Sequence, residues 1–311
     1  MSKFKRRQTK QQPKADAVLA ADIHIRPDTP VCRTDDYWAA QEKKIDFILE
    51  LREQHDCPLL VAGDLGNKSQ WPNWLLEWII DKFKDHEIIC VPGQHDLPNH
   101  RIDFWKKSGI GVLYTSDAIY LHREKETIIR EKRFRLTTFP YGIEIENSEY
   151  IGSTYSAVAM AHQMVIKNKT LWPGQEAPKG HQLLKKFPEY SLILVGDNHH
   201  PFVAEYEGRK LVNPGSMMRM VADMENHRPR VYLWYAKSNE VVPVYLPIEQ
   251  GVITREHIEA AEERSNRYDS FMTRVKEDVE IQLSYEDNMG RYFEKFRTEL
   301  PVKEKVQGAM V

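Results

Sequence analysis

Five short polar clusters in this chain carry the side chains that divalent cations bind. Each cluster ends or follows an apolar run, where a predicted strand gives way to a loop. Aspartate, histidine and side-chain amides are ligands of hard and borderline divalent cations. Together the clusters predict a metal site built from loops at one edge of a sheet. In chain order they are Asp22-Ile23-His24, Gly63-Asp64, Gly93-Gln94-His95-Asp96, His162 and Gly196-Asp197-Asn198-His199-His200.

The clusters differ in how specifically each indicates a metal. Asp22 and His24 occupy positions i and i+2, which lie on the same side of an extended chain and can reach one ion. A single aspartate after a strand, such as Asp64, is more often a turn former. His162 lies in an apolar run, where a lone histidine is more often a hydrogen-bonded core residue. The third cluster places an amide, an imidazole and a carboxylate on consecutive residues, which packing does not explain.

The elements that must position these clusters alternate between strands and helices over the first hundred residues. Apolar runs predict strands at residues 17–21, 58–62 and 87–91, and helical periodicity predicts helices at 36–54 and 71–84 between them. Such alternation predicts a mostly parallel sheet covered by helices.

The middle of the chain is richer in strands and predicts a second sheet. The expected fold is therefore an α/β, four-layer α-β-β-α sandwich, with two packed mixed sheets flanked by helices. Residues 167–181 are predicted as a loop because of their proline and glycine content. The predicted strands are 118–122, 134–139, 157–165, 191–195, 230–235 and 241–246, with a hairpin through Glu207-Gly208.

Shifts in composition divide the chain into three predicted parts. Residues 1–15 are basic and polar and predict a disordered arm, which is either a solubilising tail or a contact to phosphates. Residues 16–250 form the predicted sandwich. Residues 251–311 are highly charged with loosely helical apolar spacing, and predict a helical C-terminal segment that is either an appendage or a site of partner docking.

Bulk composition narrows the class of protein. The net charge is -2, so any nucleic-acid contact must use a local basic patch. The three cysteines, Cys32, Cys57 and Cys90, form no CxxC pair and predict reduced thiols rather than a thiolate metal site. No secretory signal or long apolar run is found, so the prediction is a soluble, cytoplasmic protein without a membrane partner.

Taken in order, the clusters resemble the calcineurin-like metallophosphoesterase superfamily. The pattern of that family is D-x-H, G-D, G-N-H-D/E, a lone histidine and G-H-x-H, each at a strand end, and the resemblance covers roughly residues 17–216. The segment Asn213-Pro214-Gly215-Ser216 further resembles the N-P-G-S turn of SbcD-type DNA-repair nuclease subunits. The resemblance implies a metal-dependent phosphodiester hydrolase that works with an SbcC-like ATPase.

The resemblance also implies a role for each matching residue. Two divalent ions are expected, with Mn²⁺ the leading candidate and Mg²⁺ the alternative. His95 would protonate the leaving oxygen or stabilise its charge, with Asp96 fixing the ring of His95. The implied ligands are Asp22, His24 and His199 for the first ion, Gln94, His162 and Asp197 for the second, and Asp64 as a bridge between them.

Two residues depart from the family pattern, and both are expected ligands of the second ion. Gln94 replaces the usual Asn, which keeps the amide oxygen on an arm one methylene longer. Asp197 replaces the usual His, and a carboxylate is a harder ligand that favours Mn²⁺ or Mg²⁺ over zinc. A register that uses His200 instead would require the turn to be rebuilt. Lys68, after Asp64, either meets a phosphate or is a solvated surface lysine.

Three functions are compatible with these residues. The leading hypothesis is a DNA exonuclease or endonuclease subunit acting in repair, recombination or replication. The alternatives are a metallophosphatase or small-molecule phosphodiesterase, and a catalytically decayed binding subunit. A homodimer is expected because related nucleases dimerise through early helices, although core burial explains the same apolar stripe equally well. That stripe consists of Trp71, Trp74, Leu75, Trp78 and Ile79.

Overall fold

The computed structural model describes residues 13–130, 133–148, 155–278 and 285–308. The chain divides into two compact units, Met1–Thr254 and Arg255–Val311. Residues 1–12, most of the predicted basic arm, lie outside the described residues. Within the described residues, no helix is both long and apolar enough to cross a lipid bilayer.

The first unit contains two mixed sheets of six strands each. The strand order is β12-β11-β1-β2-β3-β4 in the first sheet and β5-β6-β7-β8-β10-β9 in the second. The strands are β1 (Ala17–Ala20), β2 (Leu59–Ala62), β3 (Ile88–Val91), β4 (Tyr120–Leu121), β5 (Glu126–Arg130), β6 (Phe134–Phe139), β7 (Ser156–His162), β8 (Leu192–Gly196), β9 (Phe202–Tyr206), β10 (Arg209–Asn213), β11 (Arg230–Tyr235) and β12 (Glu240–Tyr245).

Helices flank these sheets and also make up the described part of the second unit. In the first unit they are α1 (Tyr37–His55), α2 (Asn73–Phe83), α3 (Gly109–Thr115) and α4 (Gly180–Lys186). In the second unit they are α5 (Glu256–Asp278), α6 (Tyr285–Lys295) and α7 (Leu300–Gly308). The helical C-terminal segment predicted from composition is thus found.

Alternating side chains of the buried strands explain the layered architecture. In β1, Val18 and Ala20 pack with Ile45 of α1. Leu19 faces the other way and packs with Met160 of the second sheet. Because successive side chains of a strand point to opposite faces, a strand apolar on both faces is buried between a helix layer and a second sheet. The structure therefore confirms the predicted fold.

Parallel pairing brings the strand ends that matter to the same edge. In the first sheet β1 pairs with β2 and β2 with β3 in parallel, and in the second sheet β7 pairs with β8 in parallel. The predicted hairpin through Glu207-Gly208 joins β9 and β10. All these parallel strands end on loops that carry the polar clusters.

Several local predictions were wrong. Residues 167–181 were predicted as a loop, which holds up to residue 179, but Gly180 begins α4, whose Leu183 and Leu184 are buried under the second sheet. Proline and glycine nearby masked this short helix in the sequence. The strand predicted at 157–165 ends at His162, and the helix predicted from Trp71 begins at Asn73 with Pro72 as its N-cap.

Part of the apolar stripe on α2 is buried in the core, and part is exposed at the surface. Leu75 and Ile79 are fully buried in the core. Trp74 is 49% exposed, and the partly buried Trp78 packs edge-on against Trp38 with ring centroids 4.8 Å apart. One side of the helix is therefore core, and the tryptophan side remains at the surface.

Candidate metal centre

The seven predicted ligands lie at the carboxyl ends of five strands that come from both sheets. Because the sheets pack face to face, these strand ends meet at one edge of the sandwich, where open α/β sheets bind ligands. They are Asp22 and His24 after β1, Asp64 after β2, Gln94 after β3, His162 as the last residue of β7, and Asp197 and His199 after β8.

Four of these ligands have left-handed backbone torsions. The φ angle is 49° at Asp22, 51° at His24, 52° at Asp64 and 82° at Asp197. Residues other than glycine rarely adopt positive φ, and clusters of such residues are typical of functional sites. These backbone conformations are unfavourable in free energy. The placement of the side chains, rather than local backbone preference, therefore determines the loop conformations.

Asp22, His24 and His199 form a first group of ligand atoms. The Nε2 atoms of His24 and His199 lie 3.1 Å apart, and Oδ1 of Asp22 lies 4.0 Å from each. Two imidazole nitrogens that bind one ion at about 2.0–2.1 Å stand about 3 Å apart. The spacing of these three side chains therefore fits a single divalent cation.

The carboxylate of Asp64 lies between this first group and His162. Its Oδ1 accepts a hydrogen bond from the backbone N–H of His95 at 2.9 Å. Its Oδ2 is buried without a hydrogen-bond partner and lies 3.8 Å from Nε2 of His24 and 3.5 Å from Nε2 of His162. A buried carboxylate oxygen without a partner is costly, and a cation bound at this point would satisfy it.

The expected ligands of the second ion are linked by hydrogen bonds. Nδ1 of His162 contacts the Ala62 carbonyl at 2.7 Å, which turns Nε2 toward the site. Nε2 of His162 lies 2.6 Å from Oε1 of Gln94, and Nε2 of Gln94 donates to Oδ1 of Asp197 at 2.6 Å. An imidazole, an amide and a carboxylate thus converge, which is a donor set suited to Mn²⁺ or Mg²⁺.

Two glycines allow the loops to approach this closely. Gly63 has φ +85°, and a Cβ atom there would lie 2.1 Å from Nδ1 of His162. A Cβ atom on Gly93 would lie 2.1 Å from Oδ1 of Asp64. Any larger residue at either position would displace a predicted ligand.

Burial and neighbouring charges shift the pKa values of the predicted ligands in both directions. Burial raises the pKa of Asp22 to about 8, with the charge of His162 opposing this. Burial lowers the pKa of His24 to about 3. Burial also disfavours the charged ring of His162, but the carboxylates of Asp64 and Asp22 outweigh it and raise its pKa to about 10. Metal ions compete with protons for such ligands, so a divalent cation would take over this compensating charge.

His95 lies at the exposed rim of the site. Its ring packs edge-on against that of His24, with centroids 5.1 Å apart. It also borders a polar cavity of about 410 Å³, whose lining includes Lys68, Asn99 and His100. A side chain in this position can reach a substrate that enters from solvent.

The structure corrects the predicted contact between Asp96 and the ring of His95. The buried carboxylate of Asp96 accepts hydrogen bonds from the backbone N–H groups of Leu65 at 3.3 Å, Gly66 at 2.8 Å and Gly93 at 2.9 Å. Asp96 therefore ties together the loops after β2 and β3. Burial, together with the charge of Asp64, raises its pKa to about 7.

The loop after β8 places His199, rather than His200, beside the other predicted ligands. His199 faces His24, as described above, whereas the backbone N–H of His200 donates to Oδ1 of Asn198 at 3.0 Å and its side chain is exposed. Among the described residues, the groups of clustered ligand atoms include His199 but not His200.

Two asparagines that position this loop were not assigned a structural role from the sequence. Nδ2 of the buried Asn213 donates to the carbonyl oxygens of Asn198 at 2.6 Å and His200 at 2.8 Å, on either side of His199. Nδ2 of Asn198 donates to the Val165 carbonyl at 2.8 Å. The N-P-G-S segment was the available signal, because its asparagine precedes a tight turn.

Comparisons with known proteins agree with this geometry at the level of the family. Two solved structures are similar: an archaeal phosphodiesterase (11% identity, 74% of this chain and 99% of that chain covered, TM-score 0.41), and a hypothetical protein from Pyrococcus horikoshii (16% identity, 79% and 93% covered, TM-score 0.44). No curated protein matches significantly. Residues 17–201 match the calcineurin-like phosphoesterases. This range is more than half of the chain and includes all seven predicted ligands, so the chain belongs to this family.

Proposed function

We propose that this chain is a metal-dependent phosphodiesterase and that its substrate is DNA. One observation supports a metal-dependent hydrolase. Oδ2 of Asp64 is buried without a hydrogen-bond partner and lies between the imidazoles of His24 and His162. Membership of the calcineurin-like phosphoesterases supports the same reaction class. The choice of DNA rests on the resemblance of Asn213–Ser216 to the turn of SbcD-type nucleases.

The side chains divide the work of hydrolysis between binding and proton transfer. Two bound divalent ions would activate the attacking water and offset negative charge on the phosphate oxygens. Asp64 and the two ligand groups fix where the phosphate sits. His95, at the exposed rim, donates a proton to the leaving oxygen. The bond from its backbone N–H to Asp64 keeps that ring next to the ligands.

The cavity beside His95 supports a substrate rich in phosphate and sugar. Its volume is about 410 Å³, and the residues that line it are polar except Leu97. Lys68 is exposed there and can offer its ammonium group to a phosphate that neighbours the scissile one. Small-molecule sites are more often lined by apolar and aromatic side chains, so the lining favours a nucleic-acid strand.

The metal and the partners follow from the same proposal. Oxygen donors from Asp22, Asp64, Gln94 and Asp197 favour Mn²⁺, with Mg²⁺ as the alternative. We place the enzyme in the cytoplasm, and the three buried free cysteines agree with a reducing compartment.

We propose two protein contacts for this nuclease. An SbcC-like ATPase would dock on the C-terminal helices, where Tyr292 of α6 and Phe296, directly after α6, are 55% and 60% exposed with ring centroids 4.6 Å apart. A second copy of the chain would pack on the tryptophan side of α2, where Trp74 is exposed. The ATPase contact is tested by co-purification with and without residues 255–311, and the dimer by the mass in solution of Trp74→Glu.

The decisive test measures cleavage of linear duplex DNA with defined ends in the presence of Mn²⁺. The wild-type chain should release nucleotides or fragments, and His95→Asn should lower the rate by about 10²–10⁴-fold while binding the same number of ions. His181→Asn, which changes an exposed histidine on α4, is the matched control. If wild type cleaves no DNA, with or without an ATPase, the nuclease proposal is wrong.

Assays on the same purified protein distinguish two other functions from a DNA nuclease. A metallophosphatase or small-molecule phosphodiesterase would hydrolyse an activated phosphomonoester or diester faster than DNA. A decayed binding subunit is favoured by the two departures at Gln94 and Asp197. It would bind fewer than one Mn²⁺ per chain at saturation and would hydrolyse none of the three substrates.

A further inference from the structure

A second group of buried charges lies outside the ligands of the metal centre. Arg33, Lys44 and Arg219 are 8%, 2% and 2% exposed, and we call them the basic cluster. Arg33 lies between β1 and α1, Lys44 lies on α1, and Arg219 follows β10. Charged side chains are rarely buried to this degree unless they are paired.

Each cation of the basic cluster has protein partners, but most of them are neutral. Lys44 Nζ donates to the Met217 carbonyl at 3.2 Å and lies 3.3 Å from Sδ of Met218. Arg33 donates to Oδ1 of Asp35 at 2.8 Å and to the Arg219 carbonyl at 3.1 Å. Asp35 is thus the only carboxylate paired with the cluster in the described residues.

Arg219 is incompletely satisfied. Its guanidinium donates to the carbonyl oxygens of Glu225, at 3.2 Å, and Glu249. Its buried Nε has no hydrogen-bond partner. Glu225 and Glu249 are exposed, and they contribute carbonyl oxygens rather than carboxylates to these bonds. A buried donor without a partner costs about 1–3 kcal/mol, which calls for a further acceptor.

The charges of the basic cluster are unbalanced. Three buried cations face one largely buried carboxylate, and uncompensated buried charge is strongly unfavourable. Burial, together with the charges of Arg33 and Arg219, lowers the pKa of Lys44 to about 7. The lysine is therefore close to losing its proton unless negative charge is added nearby.

A cavity lies where negative charge is needed. Its volume is about 20 Å³, and all three members of the basic cluster line it, together with Lys43 and Glu249. A cavity of about 10–15 Å³ accommodates one water-sized species. The space is therefore sufficient for a single small ion.

We propose that the cavity lined by Arg33, Lys44 and Arg219 binds one monatomic anion, chloride in the cell. The anion accepts hydrogen bonds from the ammonium of Lys44 and from Nε of Arg219, and it balances one of the excess cations. Monatomic halides fit the cavity and accept from several donors at once. This inference does not rest on the proposed nuclease function.

The anion also reinforces a segment next to the metal centre. Lys44 donates to the carbonyl of Met217, and the N–H of Met217 donates to the carbonyl of Asp22 at 3.1 Å. An anion that keeps Lys44 charged strengthens the first of these bonds. Chloride binding should therefore stabilise the loop that carries the first predicted metal ligand.

The test combines crystallography with thermal unfolding of the full chain. Crystals soaked in bromide should show an anomalous peak in the cavity within hydrogen-bond distance of Lys44 and Arg219. Melting in sodium chloride should occur about 2–4 °C above melting in sodium gluconate at equal ionic strength, once chloride is several times its Kd. Lys44→Met should remove this difference, while the exposed control Lys237→Met should retain it.

Each alternative outcome contradicts the proposal. A cavity that holds only water in the bromide crystals overturns it, as does a phosphate or sulfate peak at the same position. A chloride effect of equal size in Lys44→Met would indicate general salt action and also overturns it. If Lys44→Met does not fold, the bromide map of the wild-type protein decides alone.

Discussion

Removing the side-chain amide of Asn213 should weaken binding of the first metal ion, although Asn213 is not a ligand. Its Nδ2 bonds to the carbonyl oxygens of Asn198 and His200, which flank His199. The isosteric Asn213→Asp replaces both donors with an acceptor oxygen. Each buried carbonyl left without its partner costs about 1–3 kcal/mol, so the two together cost about 2–6 kcal/mol.

The chain can reduce this cost by moving the loop, and His199 moves with it. Loss of a group that orients a metal ligand typically lowers metal affinity by about 10–100-fold. Equilibrium dialysis with Mn²⁺ measures that change directly, at a temperature where thermal unfolding shows both proteins to be folded. We expect the affinity of the tighter ion to fall within this range and the helical circular dichroism to remain.

The chain offers a matched control for this experiment. Nδ2 of Asn239 also donates to two carbonyl oxygens, those of Ser191 and Gly208, each at 2.8 Å. It lies in the turn between β11 and β12, away from the strand ends that carry the ligands. Asn239→Asp should lower the melting temperature without changing Mn²⁺ affinity. Equal losses of affinity in both variants, or none in Asn213→Asp, would refute the assigned role of Asn213.

Three further predictions follow from other contacts. Gly93→Ala should lower Mn²⁺ affinity and cost about 1–3 kcal/mol of stability, measured by dialysis and melting, because its Cβ would lie 2.1 Å from Oδ1 of Asp64. In chloride-free buffer, the folded-state pKa of Lys44 lies below its unfolded value of 10.5. The free-energy cost of burying the charged lysine is therefore complete below pH 7 and disappears toward pH 10.5. Denaturant titrations should therefore show the stability of wild type rising relative to Lys44→Met by up to about 5 kcal/mol over that window. Gln94→Asn and Asp197→His should each weaken binding of the second ion, and the double variant should bind more tightly than the two single losses predict.

The positions of most strands along the chain could be anticipated because they depend on local sequence. Residues 17–21 and 58–62 are apolar on both faces, which only a doubly covered strand explains, and both strands are found in the first sheet. The strand predicted at 118–122 contains the two-residue strand β4, but the short helix α3 could not be anticipated. Helix α3, with Gly109 and Gly111, depends on tertiary packing rather than on its own propensity.

The residue types of the candidate site could be predicted, but the loop conformations and hydrogen bonds among those residues could not. The predicted ligands meet at one edge because parallel strands end there. The left-handed turns at Asp22 and Asp64 have no sequence signature, since neither residue is a glycine. The error at Asp96 has a related cause. Its neighbour His95 is adjacent in sequence, but the loop directs the carboxylate of Asp96 to backbone amides of another loop.

The two residues that depart from the family pattern are joined by a hydrogen bond. From the sequence, Gln94 and Asp197 look like two separate losses at the second ion. In the structure the longer arm of Gln94 reaches two partners, with its carbonyl oxygen at His162 and its amide donating to Asp197. A carboxylate is a better acceptor for that amide than the usual histidine, because a charged acceptor strengthens the bond. This hydrogen bond orients the glutamine oxygen toward the second site. The effect of each replacement therefore depends on the other.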